Sequence, residues 1–236
     1  MTLILLCLQQ TKDLKCATRL LSEKFEKMSK RKKAIVRELG FGGLMHIPPM
    51  NFSHKLLKKL DKSFNLDNNK LDTGYGSFKV KLKTIGAALS LNALGDLFPD
   101  KVSYKDLSEE NKLTFRRFQG KTLKNLTDDM ININVDNDHN QLMFKKILIL
   151  YTQMVFLLPM TINKLSPVHL APIFQMDKIT EGNWGAHVLD FIIKGITNYR
   201  LKKKKSIDSC LYALMIVYFH LSKYAEKKGE AIPSLG

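Results

Sequence analysis

The feature that most constrains the fold is an apolar stretch, "ILILYTQMVFLLPM", which runs from Ile147 to Met160. It carries Gln153 at its centre and is closed by Pro159, and its apolar residues show no strand-like alternation. Such a run is more typical of a helix buried in a protein core than of a membrane span. The stretch therefore predicts a long central helix over 140–158, against which the rest of the chain must pack.

Apolar residues at helical spacing predict several further helices. Glycines 40, 42 and 43 and prolines 48, 49, 99 and 159 punctuate the pattern, as expected where helices end. Ser53, Thr84 and Ser108 are predicted to cap helix N-termini. The expected helices cover 11–39, 53–64, 84–94, a segment from Ser108, 140–158, a segment from Trp184 and a last one after Ser206.

One segment has the period of a strand instead. Phe78, Val80 and Leu82 alternate with Lys79, Lys81 and Lys83, which predicts one apolar and one basic face. Turn residues precede this segment, so a short partner strand is expected around Lys70 and Leu71. The predicted fold is mainly α, a single multi-helix domain with a small β-hairpin near residues 70–83.

The charge is strongly positive and clustered. The 236 residues include 38 Lys and Arg against 22 Asp and Glu, and segments 12–37 and 194–228 each carry a net charge of +7. Such a field attracts polyanions, although lysine-rich segments also occur simply as solvated faces. The three scattered cysteines do not suggest a disulfide framework, so a reducing intracellular compartment is expected.

Four groups of cations are candidates for nucleic-acid binding. "KRKK" at 30–33 is interpreted as a nuclear import signal or as the edge of a binding surface. "KKKK" at 202–205 could instead complement the dipole of the preceding helix. In "FRRFQGKTLK" the two phenylalanines are expected to anchor a helix while the arginines face water. The candidate residues are Lys30, Arg31, Lys32, Lys33, Arg37, Lys79, Lys81, Lys83, Arg116, Arg117, Lys202, Lys203, Lys204 and Lys205.

The search for reaction chemistry yields no catalytic residues. His187 and Asp190 lie one helical turn apart and could form a base with its orienting carboxylate, but such pairs are common by chance. "GFGG" at 40–43 lacks the spacing of a phosphate loop and is interpreted as a tight turn with Phe41 packed inward. No metal site, cofactor, small-molecule substrate or membrane partner is expected.

Several stretches resemble a known family, the plant mobile domain or aminotransferase-like plant mobile domain of plant transposon-derived proteins. They are "KRKKAIVRELGFGGLMHIP", "FKVKLKTIGAALSLNALGDLFP", "FRRFQGKTLKNLTDDM", "LYTQMVFLLPMTINKLSPVHLAPI" and the segment that starts with "NWGAHVLDFIIKGI". The resemblance covers residues 28–224. It divides the chain into a basic helical extension over 1–27, the domain itself over 28–224, and a tail over 225–236 where a longer element product could be truncated.

The resemblance implies a nuclear, mobile-element-derived module that contacts DNA, RNA, chromatin or a protein partner. Related proteins often carry a ubiquitin-like (SUMO-type) protease domain after this domain, and this chain ends before such a domain would begin. The family name suggests aminotransferase chemistry. However, no Schiff-base lysine, acidic partner or phosphate cup for pyridoxal phosphate can be assigned here, so neither activity is carried over. A protein-interaction scaffold, with lysines that serve solubility only, is the alternative.

Overall fold

The computed structural model describes residues 17–50, 54–74, 76–100, 102–160, 164–204 and 207–227. Ten α-helices and three short strands make up its regular structure, so the prediction of a mainly α fold with a small hairpin is confirmed. The helices are α1 (Thr18–Glu26), α2 (Lys30–Glu38), α3 (His54–Ser63), α4 (Leu82–Leu89), α5 (Glu109–Phe118), α6 (Leu123–Asn132), α7 (Asp138–Thr152), α8 (Pro167–Leu170), α9 (Trp184–Arg200) and α10 (Leu211–Lys227). The strands are β1 (Phe64–Asn65), β2 (Lys70–Thr73) and β3 (Gly76–Lys79).

The strands form one antiparallel sheet in the order β1-β2-β3. Phe64 pairs with Leu71, and Leu71 pairs with Phe78, so the apolar residues share the face turned towards the core. On the outer face Asn65 pairs with Lys70, and Lys70 pairs with Lys79. Helix α3 packs against β1 and β2, and α10 packs against both α3 and β2.

The apolar stretch forms the centre of the core, as predicted. Helix α7 continues into a π-helical turn at Gln153–Leu157, and its residues from Ile147 to Leu158 are all buried. The Gln153 amide donates from Nε2 to the carbonyl of His169 (3.0 Å) and accepts at Oε1 from Nε2 of His187 (3.3 Å). A buried side-chain amide is tolerated because both of its ends find partners. No helix in these described segments is long and apolar enough to cross a membrane.

The turn at "GFGG" is confirmed, and it joins two distant parts of the sequence. Gly40 has φ +76°, a conformation that glycine adopts without strain. Phe41 is fully buried, and its ring meets Trp184 edge to face at 5.0 Å. The Trp184 indole in turn donates to the carbonyl of Ile179 at 3.0 Å. The start of α9 is therefore anchored in the core by an aromatic contact and a hydrogen bond.

Two predicted elements differ from the structure. The helix expected over 11–39 is divided at Lys27–Ser29, because the Ser29 hydroxyl accepts from the backbone N–H of Lys32 and caps a new helix, α2. The strand expected to include Lys81 and Lys83 ends at Lys79. Lys81 lies at the N-cap of α4, where its backbone N–H donates to the Thr84 hydroxyl (3.3 Å), so Leu82 and Lys83 are helical.

Candidate nucleic-acid interface

Helix α3 presents a row of four lysines to solvent. Lys55, Lys58, Lys59 and Lys62 are all exposed, whereas Leu57 and Leu60 are buried on the opposite side. The lysines follow i, i+3, i+4, i+7 spacing, which places them on one face of the helix. None of the four forms an ion pair with any residue the structure describes. Their charge is therefore available to a partner.

The only acidic residue of α3 is turned away from this row. Asp61 is 6% exposed, and its carboxylate accepts from the guanidinium Nε of Arg200 at 3.2 Å. Burial raises the pKa of Asp61 above its usual value, and Arg200 opposes that rise. Arg200 also donates to the backbone carbonyls of Asp61 and Phe64, the latter at 2.7 Å. These contacts fix the C-terminal end of α9 beside the C-terminal end of α3.

The outer face of the sheet adds two lysines to this surface, together with the exposed Asp72. Lys70 and Lys79 are direct cross-strand partners, and neither has an acidic partner within the described residues. Like charges placed opposite each other on neighbouring strands destabilise a sheet. A cleft of about 320 Å³ lies beside them and is lined by Lys62, Asn65, Asp67, Asp72 and Arg200. The cleft thus brings together the ends of α3 and α9 and the outer face of the sheet.

Helix α9 ends in a turn that carries two more exposed lysines. The N–H of Lys203 donates to the carbonyl of Asn198 and the N–H of Lys202 to that of Tyr199, both at 2.9 Å, which is the Schellman pattern. Lys202 occupies the left-handed position with φ +55°, where glycine is the usual residue. We call the combined surface the cationic face. Its members are Lys55, Lys58, Lys59, Lys62, Lys70, Lys79, Arg200, Lys202 and Lys203.

The predicted run at 30–33 lies elsewhere and is largely engaged within the fold. Lys32 donates to the carbonyls of Met130 and Ile131 at the end of α6 (2.8 and 2.9 Å), and its ammonium lies 5.4 Å from the Phe144 ring centre. Burial lowers the pKa of Lys32. The cation complements the negative end of the α6 dipole. Lys32 therefore joins α2 to α6 and α7.

Its neighbours also have partners. Arg31 pairs with Asp136 at 2.6 Å on the surface, and Lys33 donates to the carbonyl of Glu26 at 3.0 Å. Lys30 is exposed and makes no such contact with the described chain. The cations of this run thus serve in part as connections between α2 and its neighbours.

The remaining predicted residues are distributed over the surface. Arg37, Lys81, Lys83, Arg116 and Arg117 are all exposed. Arg116 donates to the Tyr104 hydroxyl at 2.7 Å, and the neighbouring Phe118 is fully buried, as expected of an anchor. Lys204 pairs with Asp208. Lys205 lies outside the described residues.

The sequence analysis missed the lysines of α3. Their signal was present, because "KLLKKLDK" places lysines at helical spacing opposite the leucines. The segments with the largest net charge are 12–37 and 194–228, and α3 lies between them. The sequence gives no sign that these lysines lie near Lys79 and Lys202. Their proximity depends on the contacts that Arg200 makes with Asp61 and Phe64.

The structure does not pair His187 with Asp190. The His187 ring donates from Nε2 to the side-chain oxygen of Gln153, and burial lowers the pKa of His187 to about 4. Asp190 is exposed on the helix surface. His169 is fully buried; its Nδ1 accepts from the N–H of Ser166 (3.2 Å), so Nε2 donates to the carbonyl of Leu158 (3.0 Å). Both histidines act as hydrogen-bonding groups of the core. No group of three or more candidate metal ligands occurs among the described residues.

Comparison with known proteins identifies a family and no characterised relative. No curated protein and no solved structure matches the chain. One family matches residues 14–215, which include every residue of the cationic face. The chain therefore belongs to the family described as Domain of unknown function (DUF8566).

Proposed function

We propose that the protein is a non-catalytic nuclear module that associates with nucleic acid through the cationic face. The observation that carries the proposal is the row of four exposed lysines on α3, none of which has an ion-pair partner among the described residues. The only acidic residue of the helix, Asp61, is withdrawn into a contact with Arg200. Lys70, Lys79, Lys202 and Lys203 extend the same charge across the sheet and the end of α9. A surface of this composition is suited to the phosphate backbone.

The chemistry of the face favours backbone contacts over base recognition. Its cations are almost all lysines, which act as flexible point charges, and the one arginine is used to join α9 to α3. Phosphate contacts position a protein on nucleic acid without reading its sequence. We therefore expect binding with little dependence on base sequence and with a strong dependence on salt.

The cationic face retains two features that lower the stability of the fold, which supports a role for its lysines in binding. Lys202 holds a left-handed conformation, and Lys70 lies opposite Lys79. Each feature costs stability, and strained positions cluster at functional sites. A partner that neutralises the lysines would relieve the repulsion between Lys70 and Lys79.

The nuclear setting and the origin in a mobile element are proposed from the sequence. They rest on the basic runs and on the resemblance to the plant mobile domain. Import is tested by imaging a fluorescent fusion in which Lys30 and Arg31 are replaced by alanine. These two residues are exposed, whereas replacement of Lys32 would also remove a contact between helices. Unchanged nuclear accumulation would remove the import role of the run.

Binding is tested by fluorescence anisotropy with labelled double-stranded DNA, single-stranded DNA and RNA across a salt series. If about five phosphates are engaged, the plot of log K against log salt should have a slope of roughly −4 to −5. The variant Lys58→Glu with Lys62→Glu should weaken binding at least about tenfold and make the slope shallower. Retained affinity in this variant would exclude α3 as the contact surface.

The matched control changes the net charge equally at residues outside the cationic face. Lys105→Glu with Lys124→Glu replaces two exposed lysines that belong to other elements. Affinity should fall only modestly, because long-range attraction weakens while the contacts remain. Equal losses in the two variants would show that net charge alone drives binding. Absence of binding to all three probes at low salt would overturn the proposal.

The second candidate function is a protein-interaction scaffold. It is favoured by Leu94 and Leu97, which are 67% and 66% exposed. Salt separates the two functions, because binding through an apolar surface should not collapse between low and physiological ionic strength.

A further inference from the structure

A groove lies at the opposite end of α9 from the cationic face. It has a volume of about 440 Å³ and is lined by residues 95–98 together with Gln175, Lys178, Glu181 and Gly182. Phe98 forms its inner wall, where the ring packs against Trp184 at a tilt of 56° with centres 4.7 Å apart. The volume is in the range of pockets that hold ligands or anchoring side chains.

The loop that borders the groove is held in place although it exposes two leucines. Asn92 donates from Nδ2 to the carbonyls of Thr180 and Glu181 (3.2 and 2.8 Å). The N–H of Asn183 donates to the backbone carbonyl of Asp96 (2.8 Å), and the N–H of Gly185 donates to the backbone carbonyl of Asn92 (3.0 Å). A β-carbon on Gly95 would lie 1.5 Å from the carbonyl oxygen of Glu181, so the two segments are in direct contact. Leu94 and Leu97 are therefore presented to solvent on an anchored support.

The rim of the groove is acidic in a protein that is otherwise basic. Asp96 and Glu181 line the groove, and Asp177 adjoins it, against a single lysine at 178. Exposed leucines beside acidic groups favour a partner that presents an apolar side chain flanked by cations.

The C-terminal end of α9 has that composition. Leu201 is 58% exposed, and Lys202 and Lys203 follow it on the surface. The Schellman hydrogen bonds hold these three residues in a fixed turn. Helix α9 has 17 residues, so this turn lies roughly 25 Å from the groove at the other end of the same helix. A groove cannot receive the turn of its own chain.

We propose that the groove binds the turn at residues 201–203 of a second copy of this chain. Leu201 of one copy packs on Leu94, Leu97 and Phe98 of the next, and Lys202 and Lys203 approach Asp96 and Glu181. The contact joins two different surfaces, so it closes into a two-fold pair where both contacts form reciprocally and otherwise generates a head-to-tail assembly. This inference does not rest on the nucleic-acid proposal, but Lys202 and Lys203 belong to both surfaces, so a turn held in the groove of another copy is not free to contact phosphate.

Salt gives the association a distinctive signature. The net charge of +16 repels a second copy at low ionic strength. At about 0.15 M salt the screening length falls to about 8 Å, which weakens whole-molecule repulsion more than contacts between adjacent groups. Self-association should therefore be greatest at intermediate salt and decline again when the contact charges are screened.

The test is sedimentation velocity of the full chain over a concentration series, with two variants. The groove variant is Asp96→Lys with Glu181→Lys, and the turn variant is Lys202→Glu with Lys203→Glu. In each variant alone the groove and the turn carry like charge, so self-association should weaken roughly tenfold or more. In an equimolar mixture each groove meets a turn of opposite charge, and association should return.

The mixture also provides the control for folding and for net charge. Two misfolded variants would not restore association in combination, and both variants keep a strongly positive net charge, so general attraction between them is excluded. A wild-type chain that stays monomeric at all concentrations and salt levels would overturn the proposal. So would a mixture that behaves as the sum of its two components.

Discussion

The two ends of α9 differ in whether their polar side chains have partners within the protein. At the N-terminal end, the Asn183 side chain accepts from the N–H of Ala186 at 2.9 Å, and the Trp184 indole and the His187 ring each bond a buried partner. At the C-terminal end, Lys202 and Lys203 extend into solvent without an acidic partner in the described chain. One helix thus connects a satisfied hydrogen-bond network to an uncompensated positive surface.

The N-terminal end is where α9 contributes most to stability. Trp184 contacts Phe41 and Phe98 and is only 1% exposed. The ring of His187 lies against Phe98 and is fixed by Gln153 in the π turn. Buried polar groups rigidify a core when all of them are paired. This end has little freedom to change without loss of folding.

The C-terminal end instead carries features that folding alone would not favour. Lys202 takes a conformation better suited to glycine, and Lys70 faces Lys79 across two strands. Arg200 stabilises the junction through Asp61 and Phe64, so the surrounding lysines are presented on a rigid base. The N-terminal end of α9 therefore contributes mainly to stability, and the C-terminal end contributes mainly to the surface charge. Substitutions can test each end separately.

The largest expected effect concerns the pH dependence of the N-terminal end. Burial lowers the pKa of His187 to about 4 and lowers that of His169 as well. Unfolded histidines titrate near 6.5, so below that pH the unfolded chain binds more protons than the folded chain. The contribution of His187 is therefore complete above pH 6.5 and is lost as the pH falls towards 4. Between pH 7.5 and 4.5 this loss should be about 2–3 kcal/mol.

The measurement is urea unfolding of the wild-type chain and of His187→Gln at both pH values. The variant should lose less free energy of unfolding on acidification than the wild type does. His139→Gln, which changes an exposed histidine, is the matched control and should follow the wild type. Parallel pH curves for the wild type and His187→Gln would contradict the assignment of a half-buried, neutral ring with a lowered pKa.

The next effect concerns Lys202, where stability and binding should change in opposite directions. Lys202→Gly removes the strain of a left-handed residue and should raise the free energy of unfolding by about 1 kcal/mol. It also removes one cation, so affinity for DNA should fall. Lys203→Gly removes the same charge without relieving strain and should lower stability. If both variants lose stability equally, conformational strain at Lys202 is disproved.

Much of the fold was predictable because helical spacing and the alternation at 78–83 are local signals. The central helix, the hairpin and the turn around Phe41 follow from such patterns. The division between α1 and α2 was missed, since the apolar period continues across the break and only the Ser29 cap marks it. The end of β3 at Lys79 was missed because Val80 and Leu82 keep the strand period. The helix nevertheless begins at Leu82, since the Thr84 hydroxyl accepts from the N–H of Lys81 at the N-cap.

The candidate site was less predictable because it depends on tertiary contacts. A run of cations such as 30–33 suggests a free surface, yet Lys32 binds carbonyls of α6 that are distant in the sequence. Conversely, α3 is short, and its four lysines and one aspartate contribute a total of only +3. These lysines become part of a larger surface only because Arg200 reaches Asp61 and the carbonyl of Phe64. The spacing of the lysines in α3 is visible in the sequence, but the surfaces that lie beside them in the fold are not.

The smallest expected effect concerns the Lys70 and Lys79 pair, and it tests whether the cationic face costs stability. Lys79→Glu converts a like-charge cross-strand pair into an opposite-charge pair, so the free energy of unfolding should rise by about 0.2–1 kcal/mol. Binding to DNA should weaken, because the change places an acid within the face. Urea unfolding and anisotropy on the same samples measure both effects.

Lys105→Glu is the control, since it alters net charge equally but outside the sheet, and its stability should change little. A destabilised Lys79→Glu variant with wild-type affinity would show that this pair is structural, and it would limit the cationic face to α3 and the end of α9.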